Sequence, residues 1–152
     1  MQGSCNFAEL SQDVDNLLRV IMFGDHKIDC FTKELAVLNG CLQQLASGAA
    51  ISRLDAKVYR LSGSLRSTDQ TLCDWRKKAQ DYLKLAHQEQ VLAKEELTNF
   101  EKKVQGLVAL IKKQQQQIKK QGKQAQTLCK AIRGVRRKLV ARVVRGREPI
   151  LV

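Results

Sequence analysis

The chain has 152 residues, of which 43% are hydrophobic, 28% charged and 5% aromatic, with one proline, Pro149. That is too apolar for a disordered chain, and too poor in proline and aromatics for an enzyme assembled from short elements, so a few long helices are expected. The formal net charge is +12, no run reaches the roughly 18 apolar residues of a membrane span, and the opening MQGSCNFAELSQDVD lacks the apolar stretch of a secretory signal.

Heptad spacing organises the chain. Steps of four and three from Leu10 reach Val14, Leu17, Ile21, Gly24, Ile28, Phe31, Leu35, Leu38, Leu42 and Leu45, all apolar except Gly24. This predicts a first coiled-coil helix over 8–46. From Ile51 the pattern restarts through Leu54, Val58, Leu61, Leu65, Thr68, Leu72, Trp75, Ala79, Tyr82 and Ala86. It marks a second coiled-coil segment, assigned to 51–111. A third seam runs Phe100, Val104, Leu107, Ile111, Gln114, Ile118, Gln121, Ala125, Leu128, Ile132, Val135 and Leu139. The three seams hold 30 apolar residues in 34 positions, well above the 43% of the whole chain. Gln114 and Gln121 sit at core d positions, where a polar side chain lowers stability but fixes register and partner.

The breaks between seams predict topology. The frame slips by two residues at Ser47-Gly48, read as a helix stop and chain reversal. Between the second and third seams it shifts by four, a stutter that a helix absorbs by local unwinding. Neither Gly nor Pro falls between Ser64 and Gln105, so one helix is expected from 51 to about 145, with Ser62-Gly63-Ser64 as the candidate kink. The expected fold class is all-α: an extended coiled coil, long helices in a hairpin, and a basic C-terminal helix or tail. Each segment offers one narrow seam, so the third lacks a partner within this hairpin. Other coiled-coil subunits, in a hetero-oligomer, are therefore expected.

Charge is concentrated in one place. Residues 1–76 hold 8 Lys/Arg and 9 Asp/Glu, residues 77–111 hold 6 and 5, and residues 112–152 hold 13 and 1. The region 112–147 thus reads as a basic, Gln/Lys/Arg-rich helical arm for an anionic partner, followed by a flexible end at 148–152. Lys130, Arg133, Arg136, Arg137, Lys138, Arg142, Arg145 and Arg147 are the candidate contacts.

Chemistry is sparse elsewhere. The five cysteines, Cys5, Cys30, Cys41, Cys73 and Cys129, are widely spaced and odd in number, which reads as reduced thiols in cytosol or nucleus. His26 and Cys30 are four apart, one helical face, but the register puts both on the solvent side. His87 and Cys73 would lie about 21 Å apart along a helix. No phosphate-binding loop, zinc-protease or nucleophile-elbow motif occurs. Trp75 and Tyr82 read as seam packing. No catalysis, cofactor or metal is expected.

The expected function is a non-enzymatic coiled-coil subunit of a cytoskeletal or mitotic assembly, with its basic arm on an acidic protein surface such as a microtubule. A trafficking or organelle-positioning subunit that lays a basic helix on anionic membrane is the first alternative. A nuclear nucleic-acid-binding factor is the second; no aromatic residue follows Phe100, so such binding would rest on phosphates rather than stacking. The same charges also suit a nuclear import signal.

Overall fold

The computed structural model describes residues 7–45, 47–88 and 93–151, with side chains up to residue 142. Among them the chain is all-α, without a strand: three long packed helices, α1 (Phe7–Leu42), α2 (Gly48–Gln88) and α3 (Lys94–Leu151).

Both inter-helix connections have local causes. α1 closes with i→i+3 bonds, Gln43 N–H to the Gly40 carbonyl (3.2 Å) and Gln44 N–H to that of Cys41 (3.1 Å), which tighten its last turn. Ser47 does not stop α1 as the sequence suggested. It caps α2: its Oγ accepts the Ala50 N–H at 3.2 Å and its carbonyl accepts that of Ile51 at 3.1 Å. Gly48 is therefore the first residue of α2.

The second connection corrects the expectation of one helix over 51–145. α2 ends at Gln88 and α3 starts at Lys94, where Leu97 N–H bonds to the Ala93 carbonyl at 3.0 Å. The expected segment 51–111 therefore combines α2 with the start of α3. Ser62-Gly63-Ser64 lies inside an unbroken helix. Charge marks the break where Gly and Pro do not: Glu95 and Glu96 occupy the first turn of α3, with the sign that helix end favours, and His87 lies in the last turn of α2. His87 Nε2 lies 3.0 Å from Glu101 Oε1. The driving term is burial. Folding α3 back buries Phe100, Val104, Leu107, Ile111, Ile118, Leu128 and Ile132, at about 1.5–3 kcal/mol each. Interrupting a helix sacrifices about four backbone bonds, each worth about 1 kcal/mol net. Burial wins, and the third seam has the internal partners that a hairpin would deny it.

The chain divides into two compact units, and each helix contributes to both. Unit 1 comprises 1–29 and 68–118. Within it α1 and α3 run parallel. The Phe7 and Phe100 rings meet edge to face at 5.4 Å, Lys103 pairs with Asp15, and Gln114 reaches α1. The Gln114 Nε2 donates to the Ile21 carbonyl at 2.7 Å and to Asp25 Oδ1 at 2.9 Å. α2 is antiparallel to α3 there: Arg76 donates to Gln115 Oε1 at 3.5 Å, and Gln115 to Cys73 Sγ at 3.3 Å. Desolvation by burial, and secondarily the Asp13 carboxylate, push the Tyr82 phenol above its ordinary pKa.

Unit 2 comprises 30–67 and 119–152. Gln121 Nε2 donates to Thr32 Oγ1 at 2.8 Å, and Arg136 lies 3.7 Å from Asp55 Oδ2. These contacts hold Thr32 of α1 and Asp55 of α2 against α3 within this unit. Phe31, Leu35, Leu38, Leu54, Val58, Leu61, Leu65, Leu128 and Ile132 fill its core.

Candidate functional site: the basic face of the third helix

The heptad that buries α3 also sorts its charges. Positions a and d from Phe100 to Ile132 face inward. Lysines and arginines fall between them, so Lys119, Lys120, Lys123, Lys130, Arg133, Arg137 and Lys138 are all exposed. Arg142 occupies the seam position after Leu139 and is exposed as well, which ends the apolar stripe. Arg136 is half-exposed and turned toward Asp55 of α2, each side chain 45% accessible. A pair this open contributes little stability, but it fixes the direction of one guanidinium.

A recess of about 490 Å³ lies against α3, lined by Arg133, Arg136, Arg137, Val140 and Ala141. These residues recur at i, i+3, i+4, i+7 and i+8, one face over two turns. The lining is mostly apolar, so the aliphatic stems of the three arginines join Val140, 57% exposed, and Ala141 in forming it. Such a lining accepts an apolar group, and the arginine head groups at its edge can pair with carboxylates or phosphates.

The spatial units change how the charge is distributed. Unit 2 holds 16 Lys/Arg against 3 Asp/Glu, and unit 1 holds 11 against 12. Lys33 of α1 and Arg53, Lys57, Arg60 and Arg66 of α2, all exposed, therefore share a unit with the arm. Sequence reasoning placed these in a neutral segment. The signal that could have found them is the antiparallel register of the second and third seams, which brings Asp55 to Arg136.

Of the candidate contacts, Lys130, Arg133, Arg136, Arg137, Lys138 and Arg142 share unit 2, all six exposed, with Arg136 partly paired. The side chains of Arg145 and Arg147 lie outside the described residues; the backbone there is helical, and helix continues through Pro149 to Leu151, into the stretch expected to be flexible. Of the seam candidates, Leu10, Val14, Leu17, Ile21, Ile28, Phe31, Leu35, Leu38, Leu54, Val58, Leu61, Leu65 and Leu72 are buried. Leu42, Leu45 and Trp75 are half-buried.

His26 and Cys30 are both exposed. Among the described residues no three His, Cys, Asp or Glu side chains gather as a metal site, and no helix is long and apolar enough to cross a membrane. Compared with known proteins, the chain matches no family, no characterised sequence and no solved structure.

Proposed function

We propose that the chain is a non-enzymatic coiled-coil subunit of a larger cytoplasmic assembly, cytoskeletal or mitotic in kind, that docks the basic face of α3 on an acidic protein surface, the microtubule first. The observation that carries this is the partition of charge: 16 basic residues against 3 acidic in one unit, near balance in the other. A segregated field of one sign steers and holds a partner of the other sign.

Two features favour protein over the alternatives. A membrane-lying helix turns its apolar stripe to lipid, but the α3 stripe from Phe100 to Ile132 is spent inside the bundle. A sugar-phosphate backbone offers little apolar surface to bury on Val140 and Ala141, whereas a glutamate-rich protein surface has both carboxylates and methylenes. The subunit reading draws on apolar side chains left in solvent on α1, where Phe23 is 78%, Met22 59% and Val20 45% exposed.

Parallel pelleting assays test the choice of partner. The intact chain should sediment with microtubules, and should lose most of that binding when the acidic tubulin tails are removed. Stronger binding to duplex DNA, RNA or phosphatidylserine vesicles at 0.15 M salt would assign the surface to that partner instead.

A further inference from the structure

Tyr59 of α2 is 72% exposed and Val140 of α3 is 57% exposed, and both belong to unit 2. Asp55 lies 3.7 Å from Arg136, which fixes where α2 meets α3. Tyr59 is one turn past Asp55, and Arg133 and Val140 lie one turn to either side of Arg136. In unit 1 His87 meets Glu101 and Arg76 meets Gln115, so α3 descends as α2 ascends. Both helices continue unbroken into unit 2, and 21 residues separate Asp55 from Arg76 just as 21 separate Gln115 from Arg136. Tyr59 therefore lies on the Arg133 side of the Asp55–Arg136 pair and Val140 on the other, about 12 Å apart along the helices at 1.5 Å per residue. Cys73, two heptads after Tyr59, accepts a hydrogen bond from Gln115 of α3, so this heptad position borders α3.

We propose that Tyr59 and Val140 are two apolar anchor points for an extended acidic segment of the partner protein, one that carries two apolar side chains four residues apart with carboxylates between them. This rests on the reading of the basic unit as a docking surface for acidic protein, and names the segment it selects. An extended chain advances about 3.3 Å per residue with alternate side chains on one face. Its residues i and i+4 thus face the same way and span about 13 Å, which matches the two anchors. Arg133, Arg136 and Arg137 fall between the anchors in level, and Arg133 and Arg137 are exposed and set the sign required there. Asp55 beside them is already turned to Arg136. The anchors are separate points and not a continuous apolar stripe, so they suit an extended chain better than an amphipathic helix. Tyrosine and arginine are also the side chains in which binding energy concentrates at protein interfaces. A nucleic acid fits this face less well, because the one ring offers a single stacking place and Val140 offers none.

The test uses the full chain and three synthetic Glu-rich peptides of about twelve residues. One has two leucines four residues apart, the second has the same leucines adjacent and so on opposite faces, and the third has serine in their place. Fluorescence anisotropy at 0.15 M salt should show the spaced peptide binding at least about tenfold tighter than the other two, a difference of about 1.4 kcal/mol. Y59A and V140S, each at an exposed position, should both erase that preference. F23A, which removes a side chain 78% exposed in unit 1, should leave it intact. R133E/R137E should weaken all three peptides alike, since every one of them is acidic. Circular dichroism verifies that each variant is folded. Equal binding of the spaced and adjacent peptides overturns the proposal and leaves the acidic-partner reading standing, as does a preference that survives Y59A or V140S. Poly-uridine RNA that displaces the spaced peptide from the wild type, and loses its own binding in Y59A, gives the ring to nucleic acid and overturns it as well. If R133E/R137E leaves all three peptides untouched, the acidic-partner reading itself fails, and the proposal with it.

Discussion

A β-carbon placed on Gly24 would stand 3.2 Å from the Oε1 of Gln114. Both residues break the heptad rule: Gly24 is the gap in the first seam and Gln114 a polar member of the third. Each accounts for the other. The missing side chain on α1 makes room for an amide that is only 1% exposed. That amide spends its nitrogen on the Ile21 carbonyl and on Asp25. Its oxygen is buried without a hydrogen-bond partner, a cost of about 1–3 kcal/mol. A polar layer of this kind trades stability for register.

Removing the amide should therefore stabilise the fold. Q114L should raise the thermal midpoint, by about 1–2 kcal/mol of stability, because an apolar side chain leaves no orphaned oxygen. Urea unfolding measures this; a loss of more than about 1 kcal/mol would mean the two donated bonds outweigh the orphan.

Gly24 should accept Ala and refuse anything large. G24A gains about 1 kcal/mol of helix propensity and loses a comparable amount to the crowded amide, for a net change near zero. G24L should cost about 3 kcal/mol or more through overpacking. The double variant G24L/Q114A should recover most of that loss, since the cavity and the excess face one another.

The phenol of Tyr82 supplies a pH dependence. Its pKa is raised from 10.0, first by burial and then by Asp13, so the folded state holds the proton more tightly than the unfolded chain does. The stability this gives is complete below the unfolded pKa, and declines as pH rises through the folded value. Y82F should remove that component of alkaline destabilisation, and D13N should reduce it. Chemical denaturation between pH 8 and about 12 would show a wild-type slope unchanged by Y82F if the account were wrong.

The second reversal can be tested by insertion. Four Gly/Ser residues placed between Gln88 and Ala93 should cost about 1 kcal/mol or less, because they lengthen a connection rather than interrupt a helix. Loss of the cooperative transition would return the chain to a continuous helix over 51–145.

Much of the core was legible from spacing. Every side chain buried among the described residues, from Leu10 to Ile132, occupies a seam position read from the heptads. Periodicity reports which face is covered, but not what covers it. The reversal before Lys94 has neither Gly nor Pro, and only the pooled burial of the third seam demands it; local signals reduce to Glu95, Glu96 and His87. The basic character of unit 2 was half legible for the same reason. Arg133 and Arg137 stand out in a basic run, whereas Arg53, Lys57 and Arg60 sit among acidic and neutral neighbours and come into the same unit only through packing. That packing also rules out a simple truncation as a test of the arm: deleting 112–152 would strip α3 from the core of unit 2.

The central claim is that the location of charge, not its total, makes the contact. The most direct measurement compares microtubule affinity for two charge-matched triple variants of the full chain. K130E/R133E/R137E reverses three exposed charges in unit 2, and K77E/K78E/K84E reverses three exposed charges in unit 1. Each lowers the net charge by the same amount. The unit 2 variant should bind about a hundredfold more weakly than the wild type, and the unit 1 variant within about threefold of it, with contacts beyond the roughly 8 Å screening length contributing little at 0.15 M salt. Equal losses in the two variants would contradict the account, leaving only non-specific attraction by a positively charged chain.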